Sequence, residues 1–224
     1  MTPEQNALFD LVTWDFPGAA IEAESFRRIE AEVPPEQRAR FSPSEWHIAR
    51  RLVHTTADFS ILPHLRFSGN PVEAGRAALR RGALIYSDSN MIKAGLSVPK
   101  LKRFHPGYTR DSILCEVASP DVAELAKREN ITRALAAVKL HEHELGGSIF
   151  LCGNAPLALA GMIRMIVEGG PRPALIVGMP VGFVNVLESK ELLKLVDVPY
   201  ITLEGRRGGS PLAVAALHAV MEDF

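Results

Sequence analysis

Cysteine is scarce in this chain: Cys115 and Cys152 are its two, and neither stands in a CxxC or Cys/His spacing. That argues against a disulfide framework and a cysteine-built metal centre, and both thiols, set in apolar strand-like runs, read as buried core residues. A charge of one sign is missing too. Lys and Arg number 25 against 26 Asp and Glu, and the basic residues are scattered apart from Arg50-Arg51, Arg80-Arg81 and the cluster of Lys100, Lys102 and Arg103. No duplex-sized basic face is advertised, so nucleic acid is not expected as a partner. Nor does any apolar run reach the roughly 18 residues that span a bilayer. The stretch from Met1 to Asp15 carries Glu4 and Asp10 but no cationic region of the signal-peptide kind. The expectation is a cytoplasmic protein with no membrane partner.

A Ser/Gly/Pro-rich linker and a fixed-period repeat are also absent, so residues 1–224 read as one domain and solenoid architectures are excluded. What is present suits a folded core: 47% of residues are hydrophobic and 23% charged.

Up to about residue 80 the pattern is helical, with Phe26 and Ile29 set among charges in Ser25 to Glu32, and Pro43 to Val53 following an N-cap-like Ser42. Beyond it, short Val/Ile/Leu-rich runs alternate with longer helical segments, the pattern of repeated βα units. The expected strands are Ala83 to Ser87, Ser112 to Val117, Gly147 to Leu151, Ala174 to Val177 and Tyr200 to Leu203. Between and around them stand expected helices over Pro71 to Arg80, Asp121 to Glu129, Thr132 to Leu145, Ala155 to Glu168, Ser189 to Leu195 and Pro211 to Met221. The implied fold class is α/β: a three-layer, doubly wound domain on a mainly parallel five-stranded sheet, preceded by an N-terminal helical segment.

Three glycine-bearing turns follow the last three strands: Cys152-Gly153-Asn154-Ala155-Pro156, Gly178-Met179-Pro180-Val181-Gly182-Phe183 and Gly205-Arg206-Arg207-Gly208-Gly209-Ser210. Glycine lets backbone N–H groups approach a ligand, and a helix N-terminus favours anions, so the turns suggest a large guest with several negative charges. The order GxGxxG, the Lys-Ser/Thr of a P-loop and the GxSxG elbow are all lacking, which leaves NAD, ATP and serine-hydrolase chemistry unsupported.

His54 lies at a helix end followed by Thr55, Thr56 and Asp58, which could orient and tune it. Histidine ordinarily exchanges protons near neutrality, so His54 is either a general acid or a histidine capping its own helix. Asp88 at a strand's carboxyl end is either catalytic or, as its residue type favours, a cap of the next helix. Ser189 could cap a helix while Lys190 meets a carboxylate in the site or in a solvated salt bridge. Arg133, Arg206 and Arg207 could clamp carboxylates bidentately. His141-Glu142-His143-Glu144 invites a metal reading, but helical residues two apart face away from each other and no third ligand is placed nearby, so no metal site is expected. His105 to Tyr108 reads as an exposed turn.

Taken in order, Glu24-Ser25-Phe26 with Ile29, Val53 to Phe59, Ile85 to Asp88 with Met91, Gly153 to Pro156, Gly178 to Val184, Glu188 to Glu191 and Gly205 to Ser210 resemble the precorrin-8X methylmutase family over nearly the whole chain. The resemblance implies a flavodoxin-like fold and a homodimer. It also implies a step of cobalamin biosynthesis, the migration of a methyl group from C-11 to C-12 of a corrinoid by a protonation-assisted 1,5-sigmatropic shift. No organic cofactor is implied; cobalt, where present, arrives in the substrate. The alternative, a noncatalytic corrinoid carrier, would have little reason to keep His54. By resemblance His54 is the catalytic proton donor, and Ser25, Thr55, Asp88, Arg133, Asn154, Gly182, Arg206 and Ser210 line the substrate pocket. Thr55 to Phe59 and Lys100 to Lys102 look closer to the cobalt-carrying, anaerobic branch. Leu157 stands where relatives commonly have threonine, and His218 where asparagine is frequent.

Overall fold

The expected parallel sheet is present in the computed structural model, which describes residues 2–222, but it has six strands rather than five. In chain order these are β1 Leu65–Ser68, β2 Ile85–Ser87, β3 Ile113–Leu114, β4 Ile149–Cys152, β5 Leu175–Gly178 and β6 Tyr200–Leu203. They lie in the order β1-β6-β5-β4-β2-β3. β2 to β6 are parallel, whereas β1 runs antiparallel to β6, with Leu65 opposite Leu203 and Ser68 opposite Tyr200. β1 leaves little trace in the hydrophobic pattern: it follows a 3-10 turn containing Pro63, and of its four residues only Leu65 is buried. An antiparallel edge strand on a parallel sheet is a common addition.

The chain passes from β2 to β3 on one side, then crosses back to β4 and continues outward through β5 to β6. The point of reversal therefore lies between β2 and β4, and in open α/β sheets the crevice beyond the carboxyl ends at this point is where ligands bind.

Among the described residues the sheet is accompanied by twelve α-helices: α1 Pro3–Asp10, α2 Gly18–Glu32, α3 Pro35–Arg38, α4 Pro43–Thr56, α5 Pro71–Arg80, α6 Asn90–Gly95, α7 Val98–Lys102, α8 Pro120–Glu129, α9 Arg133–Leu140, α10 Pro156–Val167, α11 Val186–Glu191 and α12 Ser210–Val220. Alternation along β4 sorts them into layers. Ile149 and Leu151 face a core built with Ile48 and Leu52 of α4, Leu79 of α5 and Ala213 and Leu217 of α12. Phe150 and Cys152 face the other side, against Val138 of α9 and Ala158, Leu159 and Met162 of α10. Period-2 strands buried on both faces give the three layers. Among the described residues no helix is long and apolar enough to cross a membrane.

α4 carries His54 and is well defined by its sequence. The Ser42 side chain accepts from the Glu45 N–H while the Glu45 carboxylate accepts from the Ser42 N–H, a capping box, and Pro43 sets the first turn. The helix runs past Val53 to Thr56 and stops where Ala57 turns left-handed at φ 51°. Several expected elements differ. The strand expected over Ser112 to Val117 shortens to Ile113–Leu114, and the helix expected over Ser189 to Leu195 begins earlier, at Val186, and gives way to a 3-10 turn at Leu192. The helix expected over Thr132 to Leu145 ends at Leu140 and passes into a 3-10 turn, where the His141 ring pairs with Glu144 at 2.7 Å. The His105 to Tyr108 turn is not wholly exposed, because Tyr108 is buried and its hydroxyl donates to the Ala83 carbonyl at 2.9 Å.

Candidate active site

The three glycine turns do meet beyond the carboxyl ends of the strands, but much of their backbone is engaged with the protein itself. At the point of reversal Asp88, just after β2, is 2% exposed. Its carboxylate accepts from the N–H groups of Gly153 at 3.1 Å, Asn154 at 2.7 Å and Ala155 at 2.7 Å, and from the Cys152 thiol at 3.3 Å. A backbone nest of the kind that holds anions is thus filled from within. This corrects two expectations: the first turn does not offer these N–H groups to a ligand, and Asp88 does not cap the following helix, which Ser89 does. Asn154 is exposed. Burial, reinforced by the Asp88 charge, pushes the Cys152 thiol well above its ordinary range, so it remains a donor.

The second and third turns are stitched together. Gly209 N–H donates to Met179 O at 2.8 Å and Gly182 N–H to Arg206 O at 3.2 Å. A side chain at Gly208 would place its Cβ 2.3 Å from Met179 O, so glycine here serves loop packing. Lys190 meets no carboxylate among the described residues. Only 4% exposed, it donates to Gly205 O at 2.8 Å and Arg207 O at 2.7 Å, and burial pushes its ammonium down to about 8. Ser189 caps no helix; its hydroxyl donates to Val186 O.

Arg207 ties the third turn to the chain just after α4: its guanidinium reaches the Asp58 carboxylate at 2.6 Å and the Ser60 hydroxyl at 2.8 Å. Hydrogen bonds from Ser60, aided by Arg207, hold Asp58 below its ordinary value. Arg206, by contrast, is exposed, lies 5.7 Å from the Phe183 ring centroid and pairs with no carboxylate among the described residues.

Next to this turn, α4, α6 and α12 enclose a cleft of about 440 Å³, lined by His54, Thr55, Met91, Pro211, Val214 and His218 among others. The Phe26 ring of α2 packs edge-on against His54, centroids 5.2 Å apart. The residues expected to orient His54 do not. The hydroxyls of Thr55 and Thr56 donate back to Arg51 O and Leu52 O, and Asp58 is engaged by Ser60 and Arg207. His54 makes no hydrogen bond among the described residues, so both its ring nitrogens remain open to a ligand.

The other expected site residues divide. Ser25 adjoins Phe26 and donates to Ile21 O at 2.9 Å; the Ser210 hydroxyl pairs with Ser89 at 2.8 Å, one residue before Pro211. Gly182, at φ 140°, supports the Arg206 turn. Arg133 stands apart: it opens α9, which packs with α8 and α10 in the layer opposite α4 and α12. Val214, Ala215 and His218 in the cleft were not expected, although their spacing from Pro211 at i+3, i+4 and i+7 marks one helical face.

The sequence profile of the precorrin-8X methylmutase family matches residues 20–223. The chain belongs to this family. A cobalt-precorrin-8 methylmutase of Priestia megaterium is 39% identical over 200 residues, 89% of this chain and 85% of that protein. A precorrin-8X methylmutase of Pseudomonas aeruginosa is 38% identical, covering 91% of this chain and 94% of its own length. The crystal structure of precorrin-8X methyl mutase from Thermus thermophilus superposes with a TM-score of 0.80 at 46% identity, over 91% of this chain and 95% of that one. Leu157 lines a second cavity, between α9 and α10, and not the His54 cleft.

Asp88→Ala should lower stability by about 2–4 kcal/mol, since each buried N–H left without a partner costs about 1–3 kcal/mol and water recovers part of it. The urea midpoint at unchanged m-value is the readout, and an unshifted midpoint would show that the nest does not depend on this carboxylate. Lys190 gives a pH signature. Its ammonium loses its proton at about 8 in the fold but near 10.5 when unfolded, so the unfolded state holds more protons in that interval. The stability of the native protein relative to Lys190→Met should therefore rise from about pH 8 to about pH 10.5. Chemical denaturation across that window checks the slope, and a flat difference would contradict the buried ammonium.

Proposed function

We propose that this chain moves a methyl group from C-11 to C-12 of precorrin-8 or cobalt-precorrin-8, an isomerisation of cobalamin biosynthesis, with His54 as the proton donor. The observation that carries the reading is the His54 ring itself: it opens on the cleft with no protein hydrogen-bond partner among the described residues, held by a ring contact with Phe26. A carrier would need the pocket but not an unengaged acid in it.

The reaction is an isomerisation, so mass and redox state balance within one molecule. The bond from C-11 to the methyl carbon breaks, the bond to C-12 forms, and the double bonds shift accordingly. A proton placed by His54 on the conjugated macrocycle draws electron density from the ring and eases migration; its return restores the enzyme. Thr55 and Ser210 belong at the edges of this cleft, and Arg206 is the cation with its guanidinium left open for a peripheral carboxylate. In this reading Ser25, Arg133, Asn154 and Gly182 act at the pocket's margin, and Asp88 acts through the turn it holds. No organic cofactor enters the scheme; cobalt comes, if at all, within the substrate.

The same reading makes the fold flavodoxin-like, which the 2-1-3-4-5 order of the five parallel strands supports. It makes residues 1–224 one domain and places the protein in the cytoplasm. It makes the protein a homodimer, in keeping with apolar side chains left at the surface, Phe183 at 85% and Val184 at 75% exposure.

Mixing the protein with precorrin-8 and with cobalt-precorrin-8 and following the visible spectrum tests the activity. His54→Ala should abolish rearrangement and leave product binding largely intact; near-normal turnover would remove His54 from its role. Arg206→Ala should weaken product binding by about 1.5–3 kcal/mol, the worth of a hydrogen bond to a charged group. Unchanged affinity would place Arg206 outside the site.

A further inference from the structure

The cleft holds a second histidine with the opposite environment. His218 stands on the α12 face that carries Pro211 and Val214, and lines the cleft with His54. Its Nε2 accepts the backbone N–H of Ser97, ahead of α7, at 3.2 Å. An accepting nitrogen carries no proton, so in the neutral ring the hydrogen must sit on Nδ1. Nδ1 has no hydrogen-bond partner among the described residues, and His218 lines the cleft, so Nδ1 is the ring nitrogen left for a bound molecule.

We infer that His218 is a specificity-determining residue: a neutral imidazole locked as its Nδ1–H tautomer, which donates one hydrogen bond to an oxygen of the bound corrinoid's periphery. The backbone N–H that fixes the tautomer also resists protonation, because an imidazolium cannot accept it. The charged surroundings act the same way. Burial first, and then Lys100, pushes His218 down to about 4, with Arg51 adding to the effect and Glu222 opposing it. Glu222 itself is engaged by Lys100 at 2.8 Å and Arg51 at 2.6 Å, so it does not reach across to recharge the ring. The two histidines thus differ: His54 has no protein hydrogen-bond partner among the described residues, and His218 holds its proton on Nδ1 as a donor. A carboxylate or carbonyl oxygen fits such a donor, and a cationic or N–H-bearing group does not.

The inference rests on the cleft being the corrinoid site, and the test separates the two. Cobyrinic acid is titrated into the full-length protein and its variants by visible absorbance. His218→Leu should raise Kd by about tenfold to a hundredfold, the loss of one hydrogen bond to a charged acceptor. His218→Asn, which keeps a side-chain N–H, should stay within about threefold of the native protein if the donor is what matters. In the native protein, ¹⁵N NMR should find His218 protonated on Nδ1, with that proton moving downfield as cobyrinic acid binds. This readout does not depend on how well the variants fold. A His218→Leu affinity within about twofold of native, or a proton on Nε2, overturns the assignment. If His54→Ala nevertheless abolishes turnover, only the role of His218 falls. Should His54→Ala turn over normally, the cleft reading falls and the role of His218 with it.

Discussion

One buried carboxylate sets the geometry at the carboxyl edge of the sheet. Asp88 gathers three successive backbone N–H groups and a thiol at the place where the chain reverses its path, between β2 and β4. In other doubly wound proteins that place belongs to the ligand. Here the protein supplies its own anion, which fixes the turn into α10 and brings Gly153 hard against Ser210: a Cβ on Gly153 would lie 2.7 Å from the Ser210 backbone. The start of α12, which forms one wall of the cleft, is therefore positioned from the middle of the sheet.

The third turn is held by the complementary device. Lys190, a buried cation, reaches two carbonyls of that turn, and Arg207 bridges it to Asp58 after α4. A buried ammonium is costly unless its protons are placed on acceptors, and both carbonyls here are loop groups that no strand or helix satisfies. Such contacts rigidify a region that glycine would otherwise leave loose. The consequence for binding is a division of labour. Of the two adjacent arginines, Arg207 is structural and Arg206 is left unpaired by carboxylate, so one cation of the turn remains available to an anionic guest.

The parallel strands and long amphipathic helices were legible because periodicity and caps report local choices. Ser42, Pro43 and Glu45 announce α4, and Tyr200 to Leu203 reads directly as β6. β1 was not legible, since its pairing with β6 is a long-range choice that a four-residue, mostly half-buried run does not encode. The glycine turns were legible as special backbone but not as to purpose. A positive φ or a missing Cβ serves a ligand and a neighbouring loop equally well, and Gly208 against Met179 O is the second case. Asp88 and Lys190 resist sequence reading for a related reason: a charged side chain suggests solvent, substrate or an ion pair, and only the fold reveals that backbone groups surround each of them.

His54 and His218 show what composition cannot separate. Each is a histidine on a helix lining the same cleft. One meets an aromatic edge, and the other meets a backbone N–H that no helix or strand of the fold takes up. A ring contact leaves both nitrogens without a protein hydrogen-bond partner, whereas a backbone N–H donor occupies one nitrogen and, in the neutral ring, leaves the proton on the other. The chemistry of the cleft thus depends less on which side chains reach it than on whether the backbone behind them has already claimed a nitrogen.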